Sequence, residues 1–234
     1  MKTTGIYFHI PFCKNKCNYC DYYSLEKREK DIPDFVEMLM REIELSAHEH
    51  GKNWQFDTIY FGGGSPALLT PNDVNNILNK LKHHFNISKN IELTLEINPG
   101  ETKKETLFSL KELGVNRLSI GFQSLDNGLL TTLSRTHRLD DCFTMYEDAR
   151  VAGFDNINID MMYNIPEQSL DSWVDDLKTL VKLNCDHIAI FSLTSEKGTP
   201  FYNQVNSGEV KLPGSHIEES MFTHSSQLLS KNGF

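Results

Sequence analysis

The chain has 234 residues, enough for one large α/β domain or two small ones. Its 39% hydrophobic and 24% charged residues are ordinary for a soluble globular protein, and a core of that size needs no disulfides. A formal net charge of -9 without a run of lysine and arginine argues against nucleic-acid binding, and no apolar run reaches transmembrane length.

In chain order, short β-rich runs alternate with helical patterns. The first run, residues 5–10 (GIYFHI), leads into a cysteine-rich loop. Met38, Leu39 and Ile43 mark a helix that starts near Pro33. A second run covers residues 57–61 and ends in Gly62-Gly63-Gly64-Ser65-Pro66. Thr70 is then a good N-cap, with Pro71 in the first helical position. Val74, Ile77, Leu78, Leu81 and Phe85 follow as one apolar stripe. A third run, residues 91–97, ends in Glu96, Ile97 and Asn98. The next helix opens on Thr102, with Glu105 at capping-box spacing, and closes at Gly114. Runs at residues 117–122, 156–162 and 187–193 complete the series, with a helical stripe of Trp173, Val174, Leu177, Leu180 and Val181 before the last.

Six strand–helix units in succession predict parallel strands joined by crossover helices. An open doubly wound sheet would gather its site at one switch point. Here nearly every strand ends in something polar or flexible: the cysteine loop, the glycine run, Glu96, Gln123, Asp160, and Ser192 with Thr194. That distribution selects a partial (β/α)6 TIM-like barrel with outer helices, whose site is built by loops at the C-terminal strand ends. Residues 1–203 are expected to form this core. Residues 204–234 are expected to begin a C-terminal region that stops short, since SQLLSKNGF ends where a helix would hand over to another element.

Five cysteines are an odd number and three cluster, unlike a secreted disulfide framework. The N-terminal residues lack the apolar stretch of a signal peptide, so a reducing cytoplasm is expected. Cys13, Cys17 and Cys20 form C-x3-C-x2-C. Thiolates suit zinc or iron–sulfur clusters, and structural zinc wants four protein ligands. Only His9 lies nearby as a fourth, on the preceding strand. A cubane [4Fe-4S] cluster held by three cysteines keeps one iron open for an exchangeable ligand. Zinc with an external fourth ligand is the alternative. Cys142 and Cys185 stand apart and read as small buried hydrophobes. His48, His50, His83 and His84 fall in helical patterns and read as surface residues.

This spacing after a first strand resembles the signature of the radical S-adenosylmethionine (SAM) superfamily. Tyr7-Phe8-His9-Ile10-Pro11-Phe12-Cys13 is similar to the branch holding the oxygen-independent coproporphyrinogen III dehydrogenases and the HemW haem chaperones. The glycine run agrees, as do Leu95-Glu96-Ile97-Asn98-Pro99-Gly100, Arg117-Leu118-Ser119-Ile120-Gly121-Phe122-Gln123-Ser124 and Gly198-Thr199-Pro200-Phe201-Tyr202. The resemblance implies a [4Fe-4S] cluster on Cys13, Cys17 and Cys20 and SAM on its open iron. It places Glu96, Gln123, Arg135 and Asp160 in the SAM site, with Gly63, Gly64 and Ser65 beside the ligand and Tyr7 and Tyr19 flanking it. Taken by themselves, these residues also suit a plain turn, a surface arginine, a solvated carboxylate or core aromatics.

Within the branch, the dehydrogenases have a further cysteine two residues after the third, where this chain has Tyr22. That departure favours a chaperone that binds haem for an acceptor protein. The alternative is an oxidoreductase that decarboxylates coproporphyrinogen III in porphyrin biosynthesis. The haem-linked His-Asn-x-x-Tyr-Trp motif of the chaperones' C-terminal part is not found in this sequence. Expected partners are haem or porphyrin, a haem acceptor, and an electron donor such as flavodoxin or ferredoxin if SAM is cleaved. Neither nucleic acid nor an integral membrane segment is expected.

Overall fold

The structure is a computed structural model that describes residues 2–50 and 54–234. Its elements in chain order are β1 (Lys2–Ile10), β2 (Phe12–Cys13), β3 (Leu25–Glu26), α1 (Ile32–His50), β4 (Trp54–Gly63), α2 (Pro71–His84), β5 (Asn86–Ile97), α3 (Lys104–Glu112), β6 (Arg117–Gln123), α4 (Asn127–Thr132), α5 (Leu139–Val151), β7 (Ile157–Tyr163), α6 (Leu170–Leu183), β8 (His187–Ser192), α7 (Pro200–Asn206) and α8 (Ser215–Lys231). Strands β1, β4, β5, β6, β7 and β8 form one six-stranded parallel sheet in that order. The sheet curls into a half-barrel with helices around it, as the distribution of polar strand ends predicted.

Two-residue alternation explains both faces. Ile59 and Phe61, Leu93 and Leu95, Leu118 and Ile120, and Ile157 and Ile159 are all buried, in the layer between sheet and helices. Their neighbours Tyr60, Glu96, Ser119, Asn158 and Asp160 bond among themselves or line the concave face. One layer supplies the stability and the other is free for chemistry.

Local signals hold for most helices. The Thr70 hydroxyl accepts from Asp73 N, and the Asp73 carboxylate accepts from Thr70 N at 2.9 Å, closing a capping box. Val74, Ile77, Leu78 and Leu81 are buried, whereas Phe85 falls just past the helix and packs edge-on against Phe56. Helix α3 corrects one expectation. Its N-cap is Lys103, without a side-chain cap bond, and the Thr102 hydroxyl is buried without a hydrogen-bond partner. The end of α3 is as expected: Gly114 N donates to Lys111 O and Val115 N to Leu110 O, with Gly114 at φ +101.

Cys142 and Cys185 are buried in the main core. His48 and His83 are exposed and His84 is half-buried, while the side chain of His50 lies outside the described residues. Position 203 falls inside α7. Beyond it α8 lies against α6, with Met221 in the main core and Trp173 Nε1 donating to Ser225 Oγ at 2.8 Å. Among the described residues no helix is long and apolar enough to cross a membrane.

Candidate radical SAM site

A cavity of about 360 Å³ opens on the concave face at the C-terminal ends of the strands. Cys13, Cys17, Cys20, Tyr19, Gly63, Gly64, Glu96, Gln123, Arg135 and Asp160 all line it. Tyr7 and Ser65 are not among the lining residues. Tyr7 is 56% exposed and stacks on Tyr60, while Ser65 is buried and donates to the Glu101 carboxylate.

The cysteine loop has little regular structure of its own. Its only ladder pairs β2 with β3. Other elements hold it: Phe201 N donates to Asn18 O at 2.9 Å, and the Asn18 amide to Thr132 O at 3.0 Å. His9 commits Nε2 to the Tyr23 carbonyl oxygen at 2.8 Å and places Nδ1 3.3 Å from the Tyr7 hydroxyl. It therefore props the loop. Gly63, at φ +114, turns the chain after β4, and Gly64 passes directly behind Cys13.

Arg135 reaches this loop from the far side. Its Nη1 lies 3.1 Å from Asn98 Oδ1 and 3.6 Å from Cys17 Sγ. Gln123 follows a register shift in β6 and takes φ +69, a backbone setting rare for a residue with a side chain. His137 Nε2 donates to Phe122 O at 3.1 Å and braces that bend.

Two carboxylates form the floor. Glu96 accepts from the Tyr60 hydroxyl at 2.8 Å and from Gly63 N at 3.2 Å. Asp160 accepts from Ser119 Oγ at 2.9 Å and from Asn158 Nδ2 at 2.7 Å. Burial pushes both above the usual carboxylate range, and the Asp160 charge adds to the push on Glu96; the hydrogen bonds they accept pull the other way. A cationic or donor-rich ligand would relieve both. Tyr60, Asn98, Glu101, Ser119 and Asn158 were not singled out as site residues. The alternating pattern of their strands, as in DTIYF, RLSIGF and NINIDMM, is the signal that could have placed Tyr60, Ser119 and Asn158 on the inner face.

The family model described as the Radical SAM superfamily matches residues 7–180. The chain belongs to the radical SAM superfamily. It is 32% identical over 233 residues to a Lactococcus lactis subsp. lactis protein named heme chaperone HemW, a match covering 100% of this chain and 60% of that protein. It is 31% identical over 230 residues to a Danio rerio protein named radical S-adenosyl methionine domain-containing protein 1, mitochondrial, covering 98% of this chain and 52% of that one. Coproporphyrinogen III oxidase (HemN) from Escherichia coli has the same fold, with a TM-score of 0.87 at 24% identity over 99% of this chain and 53% of that one. The chain thus spans about 60% of the length of the HemW relative.

Radical SAM membership implies a [4Fe-4S] cluster and SAM, and the residues present fit both. Among the described residues no three His, Cys, Asp or Glu side chains are gathered to share a single metal ion. A cubane does not require that, because each thiolate takes its own iron. Burial first, and then the neighbouring thiolates, push the Cys13 and Cys20 thiols up, a penalty that cationic iron reverses. Arg135 Nε is buried without a hydrogen-bond partner, and the cavity volume lies in the range of small-molecule sites.

Proposed function

We propose that this chain is the cluster- and SAM-holding core of a haem chaperone of the HemW type, which binds haem and passes it to an acceptor protein. In this reading Cys13, Cys17 and Cys20 hold the cluster and leave one iron for exchangeable SAM. The Arg135 guanidinium offers its planar fork to the SAM carboxylate. Glu96, Gln123 and Asp160 take the ammonium and the ribose hydroxyls. Gly63 and Gly64 let the backbone approach the ligand, and Tyr19 closes the site beside Cys20. Tyr7 and Ser65 act indirectly, through Tyr60 and through Glu101. The cluster and the sulfonium nucleotide, when bound, supply one-electron chemistry; the protein orients them and excludes water.

Tyr22 carries the choice between carrier and enzyme, since it stands where the dehydrogenases have a further cysteine. The HemW names of relatives at 32% and 35% identity over nearly the whole chain support it. In this reading the setting is cytoplasmic. A flavodoxin or ferredoxin is the electron donor wherever SAM is cleaved.

The test is anaerobic reconstitution of the full-length protein, since the haem-linked motif is not found in this sequence, followed by separate assays of haem binding and coproporphyrinogen III decarboxylation. Iron and sulfide near about four each per chain are expected, with haem bound and coproporphyrinogen unchanged. Decarboxylation coupled to SAM consumption would overturn the chaperone reading and establish the oxidoreductase.

A further inference from the structure

We infer that His187, on the edge strand β8, is a positioning residue that sets the Asp160 carboxylate for the nucleotide by acting through Asn158. The inference rests on the reading of Asp160 as a SAM-binding group.

Asn158 and Asp160 are two residues apart on β7 and face the same side of the sheet. His187 is the register partner of Asn158 on the neighbouring strand. An asparagine amide has a donor end and an acceptor end, and here both are engaged. Asn158 Oδ1 makes a short hydrogen bond with His187 Nδ1. Asn158 Nδ2 lies 2.7 Å from Asp160 Oδ1 and 2.6 Å from Ser119 Oγ. Ser119 Oγ in turn donates to Asp160 Oδ2 at 2.9 Å.

These contacts fix the polarity of the chain. An amide turned over would set its carbonyl oxygen against the Asp160 carboxylate and its NH2 against the histidine. The arrangement present requires His187 to donate from Nδ1, which fixes the tautomer of the neutral ring as well. Each oxygen of Asp160 then receives one hydrogen bond from the sheet and keeps its remaining acceptor capacity for the cavity.

Asp160 and Ser119 line the cavity, whereas Asn158 is buried behind them and His187 is exposed on the sheet edge. The histidine side chain therefore reaches the cavity floor through the amide. Removing it frees Asn158 to rotate and takes a donor from a carboxylate that burial already disfavours.

The test is a double-mutant cycle read by SAM affinity in calorimetry on the anaerobically reconstituted protein, with iron and sulfide content measured in parallel. His187→Ala is expected to weaken SAM about five-fold without lowering iron content. His187→Gln, whose amide can donate to Asn158, is expected to recover most of that loss. In an Asp160→Asn or Asn158→Ala background, His187→Ala is expected to change affinity by less than about two-fold, because the path is already cut. Equal loss in all backgrounds, or no loss in the single variant, would overturn the inference while leaving the nucleotide reading intact. If Asp160→Asn left SAM affinity unchanged with full iron content, the assignment of Asp160 itself would fall, and the inference with it.

Discussion

A β-carbon on Gly64 would lie 2.5 Å from the Phe12 carbonyl oxygen and 2.9 Å from the Cys13 sulfur. The first of these atoms is backbone, so no rotamer change relieves the contact. Gly64→Ala must displace either the β4 turn or the strand that carries Cys13. The expected outcome is iron content well below that of the wild type after identical anaerobic reconstitution, with the far-ultraviolet circular dichroism retained. Full iron and sulfide in that variant would show that the loop tolerates the shift. Cys13 thus depends on a residue remote in sequence whose lack of a side chain leaves room for it.

Helices α6 and α8 meet through one buried polar pair in an apolar interface. Trp173 is fully buried, and its indole N–H donates to Ser225 Oγ, which itself donates to Met221 O. Ser225→Ala leaves the indole N–H without that acceptor in the core. A loss of about 2 kcal/mol is expected, the cost of an unsatisfied buried donor. Urea denaturation measures it; a change under about 0.5 kcal/mol would mean that the interface rearranges to supply another acceptor. The cysteine loop is held on the same principle. It has almost no regular structure, and Asn18 ties it to α4 and α7 through two bonds to backbone.

The whole molecule carries a pH-dependent term from His137. Burial first, then the Arg135 charge, lower its pKa from 6.5 to about 4, against the opposing pull of the Phe122 carbonyl oxygen and Asp141. The unfolded chain therefore binds more protons at this residue than the native state does between these values. Its stabilising contribution is full above about 6.5 and is lost as pH falls toward about 4. Asp176 acts in the opposite sense: burial raises its carboxyl to about 7, so its contribution is lost as pH rises. The two oppose each other in the wild type, and a variant separates them. His137→Gln keeps a donor for Phe122 O and is expected to lose less stability than the wild type between pH 6.5 and pH 4. Parallel stability curves for the two proteins would remove His137 from the account.

The sequence alone determined what depends on near neighbours. The spacing of Cys13, Cys17 and Cys20, the Thr70 cap, the Gly114 stop and the strand–helix rhythm are set by bonds and packing within a few residues. Even there the expectation for Thr102 fails, because Lys103 takes the cap position and the Thr102 hydroxyl is buried without a hydrogen-bond partner. Tertiary structure decided the assembly of the site. It brings Arg135 to Cys17 across 118 positions, leaves Tyr7 and Ser65 off the cavity lining, and links exposed His187 to Asn158 beside the floor carboxylate. Those contacts follow from the curl and register of six parallel strands. Both are settled by how the whole apolar face packs against the helices, and no short stretch of chain encodes that.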